Sequence, residues 1–253
     1  MPNNKGKILN GAKSIFVANV KGGVGKSTLS IMLARCLAER IPAQNITVID
    51  TDLQRTATEF LSKSNPEINV EFLPITPAFE NTNISLVQQF IKQNEFRPGH
   101  VAIVDTPAGS SQRLWNLVAE GYCVLIPTTL SNADLFPTEN FIRSMDQVKA
   151  RYGKSYPHII VCPNKIPFGQ KDFSVMAERL KNHDVVIGPA LRDLASVRHF
   201  YNGKVENWEN KNNSNAQADF KQFGSFIEKF VLGEELDKIY SKNYTSKNVV
   251  PIR

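Results

Sequence analysis

Cysteine, histidine and tryptophan are scarce in this chain: its 253 residues include three cysteines, four histidines and two tryptophans. Cys36, Cys123 and Cys162 lie far apart, each within an apolar run, and no two form a C-x-x-C pair. That distribution argues against a disulfide framework and against a cysteine–histidine zinc site. It points to reduced, buried thiols. Long apolar stretches are also missing, and none approaches the roughly 20 residues of a membrane-spanning helix. Residues 1–11 are polar and lack the apolar centre of a secretory signal, so a cytoplasmic location is expected. Internal repeats are absent as well.

What remains is a moderately basic globular composition. Hydrophobic residues make up 42% and charged residues 21%, with a formal net charge of +6. The length allows a substantial core, and the cation excess favours acidic partners. Apolar runs at 14–19, 46–49, 70–73, 101–105, 122–127, 158–162 and 185–187 read as strands. Segments of helical period alternate with them. One comes after the first strand, with Leu29, Met32, Leu33, Cys36 and Leu37 on one face; one carries Phe60 and Leu61; others run over 84–94, 134–151, 173–182 and 216–232. Strands that are apolar throughout imply burial on both faces. The fold class is therefore α/β: a mostly parallel, twisted sheet with helices on both faces. One domain over 1–253 is expected, with 1–12 as a flexible arm, 207–215 as an asparagine-rich loop and 240–253 as a mobile tail.

The most specific stretch is Lys21-Gly22-Gly23-Val24-Gly25-Lys26-Ser27-Thr28, set between the first strand and the first helix. Gly22, Gly23 and Gly25 lack Cβ atoms, so the backbone can curl around an anion and aim N–H groups at it. The helix opening at Gly25 and Lys26 adds the positive end of its dipole. Lys26 supplies a charge for the β- and γ-phosphates, and the Ser27 hydroxyl can ligate Mg²⁺. Two further strands end in acids: Asp50-Thr51-Asp52 after the second, and Asp105 after four apolar residues of the fourth. Carboxylates at the carboxyl ends of parallel strands stand where such sheets bind ligands. Asp105, with Thr106-Pro107 after it, has the Walker B pattern, a carboxylate that orients the water shell of Mg²⁺. Asp50 and Asp52 could alternatively cap the helix that begins after Gln54.

The loop K-G-G-x-G-K-[S/T], with its extra lysine at Lys21, resembles the deviant Walker A motif of the ParA/MinD family of P-loop ATPases. By motif order the resemblance spans about residues 13–232. It departs from the family pattern at Leu53 and Ala108, where prolines are usual. The resemblance implies a P-loop NTPase fold, ATP and Mg²⁺ as ligands, and slow, partner-stimulated hydrolysis. It implies that Lys21 reaches across a homodimer to the partner's nucleotide. Asp52 would position the attacking water, with Asp50 beside Mg²⁺, and Asn164 would face the purine. The guanine signature N-K-x-D is missing, since Asn164-Lys165 leads into Ile166-Pro167, which favours ATP over GTP.

Within that family the chain is closest to ParA-type proteins that position a plasmid, a chromosome or a protein complex. Arg192, Arg198, Lys204, Lys221 and Lys229 fall in the region such proteins use for non-specific DNA, so nucleoid association in the ATP state is implied. A small ParB-like adaptor is the implied activator. The alternatives are a MinD-like membrane-associated ATPase and a metabolic enzyme of related fold. Against the first, the end of the chain has Pro251 and sparse apolar residues, which do not make an amphipathic helix. Against the second stand Lys21, which dethiobiotin synthetases lack, and the missing cysteine pairs of iron–sulfur scaffold ATPases. Only about a dozen residues precede the first strand, so no helix-turn-helix domain is expected there.

Overall fold

Seven apolar runs become seven strands of one sheet. The structure is a computed structural model that describes residues 12–95, 97–109, 111–152, 157–193 and 214–233. The strands are β1 (Lys13–Val17), β2 (Ile46–Asp50), β3 (Asn69–Phe72), β4 (Val101–Asp105), β5 (Cys123–Thr128), β6 (His158–Pro163) and β7 (Val185–Ile187). All pair in parallel, in the order β3-β2-β4-β1-β5-β6-β7. The chain runs outward from β1 to β3, returns to insert β4 beside β1, and then builds the other half. The centre of the sheet is therefore the tip of β1 flanked by β4 and β5. Register puts Val17 beside Asp105, and Asp105 beside Asp50.

The helices are α1 (Lys26–Ala38), α2 (Thr56–Ser64), α3 (Glu80–Asn94), α4 (Gln112–Val118), α5 (Asn132–Tyr152), α6 (Ser174–Leu180) and α7 (Ser214–Ile227), the last running into a π-turn at Glu228–Leu232. Alternation along each strand sorts its side chains into two cores. Ile15, Val17, Val48, Ile103 and Leu125 face α1, α2 and α7, where Leu33, Leu61, Phe223 and Ile227 are buried. Phe16, Ile49, Val104, Val124 and Ile126 face the opposite layer, with Val87, Leu117, Ile142 and Met176. Helices thus cover both faces, as the continuous apolar strands imply.

Three elements differ from the sequence reading. The short helix α4 was not expected, although Ser111 caps it by accepting from the Leu114 backbone N–H at 3.0 Å. Leu114, Leu117 and Val118 are its apolar face, but seven residues give too few turns for a clear period. The strand β3 is an edge with alternating exposure rather than a buried run, because only β2 pairs with it. Helix α1 is buried on nearly all sides, including Ser30, Ile31 and Ala34, so its apolar stripe is wider than the five residues expected. Residues 1–11 of the arm, 207–213 of the expected loop and the tail 240–253 lie outside the described residues. Ser214 and Asn215 already belong to α7.

Close packing has a test at Gly121, just before β5. A Cβ there would sit 2.5 Å from Cδ2 and 2.9 Å from Cε2 of the fully buried Phe16. We expect Gly121→Ala to lower stability by about 1–3 kcal/mol through overpacking, read as a lower urea midpoint with an unchanged slope.

Candidate functional site

The glycine-rich loop leaves β1 through Asn19, which is buried and fully engaged. Its Nδ2 donates to the Pro127 carbonyl and to Thr138 Oγ1, both at 2.9 Å, and its Oδ1 accepts from the Lys21 N–H at 3.0 Å. Thr138 Oγ1 in turn donates to the Asp134 carbonyl at 2.7 Å and pairs with the Thr128 hydroxyl at 3.0 Å. The loop entry is thereby tied to β5 and α5. Beyond it, Gly23 (φ 75°) and Gly25 (φ 95°) take the left-handed conformation that glycine adopts without strain. A Cβ on Gly25 would collide with Nδ2 of Asn164. Gly25 caps α1 with no side-chain hydrogen bond, so the first-turn amides of Lys26, Ser27 and Thr28 are left to an anion rather than to a capping residue. Lys26 is buried, and its Nζ donates to the Lys21 carbonyl at 3.0 Å. Burial lowers its pKa, while the charges of Asp105 and Asp52 act in the opposite direction.

The strand-tip acids meet beside this loop and divide the work. Asp105 is fully buried. Its Oδ1 accepts from Ser30 Oγ at 3.0 Å, while its Oδ2 has no hydrogen-bond partner. Burial pushes its pKa up to about 7; the Ser27 and Ser30 hydroxyls pull it down, and Asp50 and Asp52 push it further up. A buried carboxylate oxygen left bare next to a phosphate-type loop suits a divalent cation. No cluster of three or more His, Cys, Asp or Glu capable of holding a metal exists among the described residues. Magnesium is commonly held by one or two carboxylates together with substrate phosphate oxygens. Ser27 and Asp105 would be the protein groups beside it.

Asp50, expected near the same cation, commits its carboxylate to the next helix. Oδ2 accepts from both the N–H and the hydroxyl of Thr58 at 2.9 Å, and Oδ1 accepts from the Asp52 N–H at 3.1 Å. It therefore stabilises the start of α2 from across the strand end, where a helix N-terminus favours an anion. This is the capping role its position allowed. Burial raises its pKa, opposed by these hydrogen bonds. Asp52 is half-buried at the rim, accepting from the Gln54 N–H at 3.0 Å.

The remaining expected residues fall into three groups. Lys21 stands at the rim, 3.8 Å from Oδ1 of Asp134 within its own chain. Asn164 is buried, and its Nδ2 donates to the Val24 carbonyl at 2.8 Å, so it contacts the loop directly. Of the basic set, Arg192 is committed to the fold. Its guanidinium forms a two-pronged ion pair with Asp219, with contacts of 2.6–3.0 Å, and also reaches Asn215. That pairing docks the segment after β7 on α7 and leaves Arg192 poorly suited to grip phosphates. Lys221 and Lys229 are exposed on α7 and the π-turn. Arg198 and Lys204 lie outside the described residues.

Sequence reasoning misses four residues of the site. Ser30 and Thr58 hold the two buried acids; each sits near a residue that the motifs single out. Asp134 reads from the sequence only as a helix start. Lys165 stands out there only as the neighbour of Asn164, yet its Nζ donates to the Gly23 carbonyl at 2.7 Å from a left-handed backbone, φ 54°.

Comparison with known proteins gives the chain its family. The family described as the CobQ/CobB/MinD/ParA nucleotide binding domain matches residues 15–247. Protein ParA of Rhizobium radiobacter is 25% identical over 209 residues, covering 81% of this chain and 90% of that protein. The ATP complex of McdA from Cyanothece superposes with a TM-score of 0.65 at 15% identity, covering 86% of this chain and 95% of that one. MinD of Pyrococcus horikoshii, complexed with Mg-ADP, superposes at 0.62 with 16% identity, covering 87% and 97%. At such identities the two solved structures speak for the fold alone.

The bare carboxyl of Asp105 sets a pH dependence. In the folded, ligand-free chain it keeps its proton up to about pH 7, whereas an unfolded aspartate ionises near pH 4. The folded state holds the extra proton between those values, so stability falls as pH rises across that window. At 1.36 kcal/mol per pH unit the penalty is at most about 4 kcal/mol. We expect ligand-free Asp105→Asn to melt above the parent protein at about pH 8 and to lose that advantage near pH 4. Thermal melts at the two pH values decide it.

Proposed function

The chain belongs to the CobQ/CobB/MinD/ParA nucleotide-binding family, and we propose that within it this protein is an ATPase of the ParA type that positions a cargo through ATP-gated, non-specific DNA binding. The observation that carries this reading is the loop itself. Its end leaves the first α1 amides without a side-chain cap, the buried Lys26 feels the charge of a buried Asp105 with one bare oxygen, and a second lysine, Lys21, stands at the rim.

In this reading the loop from Lys21 to Thr28 cradles the ATP phosphates, and Asn164 lies between the loop and the purine. Ser27 and Asp105 hold Mg²⁺, with Asp50 behind them; the cation neutralises phosphate charge when bound. Asp52, half-buried at the rim, orients the attacking water. Phosphoryl transfer asks for positioning and charge stabilisation rather than covalent chemistry, and this set of residues offers both. Lys21 leaves Asp134 and reaches the nucleotide of a second copy, so that ATP drives homodimer formation. Lys221 and Lys229 contribute to the DNA face, without Arg192. Hydrolysis is slow until a ParB-like adaptor stimulates it, and the protein is cytoplasmic, on the nucleoid in its ATP state. The ParA relative supports this reading; no helix among the described residues is long and apolar enough to cross a membrane.

Three measurements test the proposal. Lys26→Ala should weaken MgATP binding by at least tenfold in calorimetry, since a charge-assisted contact contributes about 1.5–3 kcal/mol; unchanged affinity removes the loop from the mechanism. Asp52→Ala should still form an ATP-dependent dimer on a sizing column while phosphate release falls by about two orders of magnitude. The same variant, in ATP and not in ADP, should bind two unrelated duplexes equally. Its log affinity should fall with log salt by about 0.9 per phosphate contacted, and Lys221→Glu should make that slope shallower. Binding to vesicles in ATP with no DNA binding would assign the protein to a membrane instead.

A further inference from the structure

Two consecutive residues after β6 hold two consecutive carbonyls of the phosphate loop. Asn164 Nδ2 donates to the Val24 carbonyl at 2.8 Å, and Lys165 Nζ donates to the Gly23 carbonyl at 2.7 Å. A trans peptide unit is planar, with its C=O and N–H pointing in opposite directions. Fixing the Gly23 carbonyl toward Lys165 therefore turns the Val24 N–H the other way, and fixing the Val24 carbonyl toward Asn164 does the same for the Gly25 N–H. Both carbonyls are drawn toward the turn after β6, so both amides face away from it.

The backbone geometry is shaped for this task. Lys165 is one of only two non-glycine residues with positive φ among the described residues, at 54°. A lysine there is strained by the order of 1 kcal/mol. The strain persists because it swings the Lys165 side chain back over Gly23 while Asn164 stays buried beneath Val24. Neighbouring amides lock the turn from the far side: the Asn164 N–H donates to the Thr128 carbonyl at 2.7 Å and the Ile166 N–H to the Leu191 carbonyl at 3.0 Å. Gly25, in turn, must lack a Cβ for Asn164 to approach. The loop thus depends on groups outside the glycine-rich sequence to present its amides.

We infer that Lys165 is a positioning residue for phosphate binding. With Asn164 it pre-orients the Val24 and Gly25 amides before a nucleotide arrives, and its charge polarises the Gly23–Val24 peptide so that the amide becomes a stronger donor. The inference rests on the nucleotide-site reading above and assigns a further residue to that site. Pre-oriented donors cost no reorganisation when the anion binds.

The test compares Lys165→Met with Lys165→Arg. We expect Lys165→Met to weaken both MgATP and inorganic pyrophosphate by about five- to tenfold in calorimetry, with Lys165→Arg restoring most of the loss. In the nucleotide-free protein the backbone amide resonances of Val24 and Gly25 should shift in Lys165→Met and return in Lys165→Arg, while the melting temperature stays at the parent value. A loss for MgATP without a loss for pyrophosphate would place Lys165 at the purine and overturn the inference. So would unshifted Val24 and Gly25 resonances, or unchanged affinity for both anions. Lys26→Ala is measured alongside. If it keeps full affinity, the nucleotide-site reading itself fails; if it loses affinity while Lys165→Met does not, only the role of Lys165 fails.

Discussion

Hydrogen bonds from side chains to the backbone of the phosphate loop are the constraint on which the site depends. A loop with three glycines has many conformations of similar energy, and a flexible loop would lose conformational entropy on each binding event. Here that cost is met on folding. Asn19 pins the Lys21 amide to the sheet edge, Asn164 holds Val24, and Lys165 holds Gly23. The tethers come from the end of β1, and from the turn after β6, two strands away. Because β1, β5 and β6 run parallel, these strand ends meet at one edge, which is why the strand order matters for the site and not only for the core.

The same edge concentrates charge that the ligand-free chain cannot fully neutralise. Asp105 is buried with one oxygen bare, Lys26 is buried against Lys21's carbonyl, and both have pKa values displaced by burial in the direction of neutrality. Stability and binding pull against each other at such a place. Asp50 shows the opposite solution, with each of its oxygens occupied by donors from Asp52 and the start of α2. Two acids that look alike at strand tips thus diverge. One has both oxygens absorbed into the fold, and one keeps an oxygen without a partner.

Much of this was legible from the sequence because it depends on local pattern. The apolar strands, the loop and the acids at the strand ends are contiguous words, and the sheet, the loop and the position of Asp105 can be read from them. What the sequence could not disclose depends on which segments fold next to one another. Lys165 and Gly23 are 142 positions apart, and Arg192 meets Asp219 across 27. A basic residue in a basic region reads as a phosphate contact until its carboxylate partner is known. The helix α4 escaped for a different reason. It is too short for periodicity to separate from chance, and only its serine cap marks it.

The ion pair between Lys21 and Asp134 bears on whether one lysine can serve two states. At 3.8 Å, with side-chain exposures of 43% and 18%, it lies on the wet side of the site. Pairs of this kind contribute about 0–1 kcal/mol, so releasing Lys21 costs little. Asp134 would not be stranded by the release, because its Oδ2 also accepts from Thr129 Oγ1 at 2.7 Å. Lys26, by contrast, is buried and bonded within the loop, and moving it would break that bond and take its charge away from Asp105. The two lysines of the motif are therefore unequal in freedom. Lys26 is bound to its own chain's site, whereas Lys21 can be exchanged from Asp134 to a second anion with little loss. A role between subunits asks for that mobility, and a role in holding the loop's own phosphate asks for its absence.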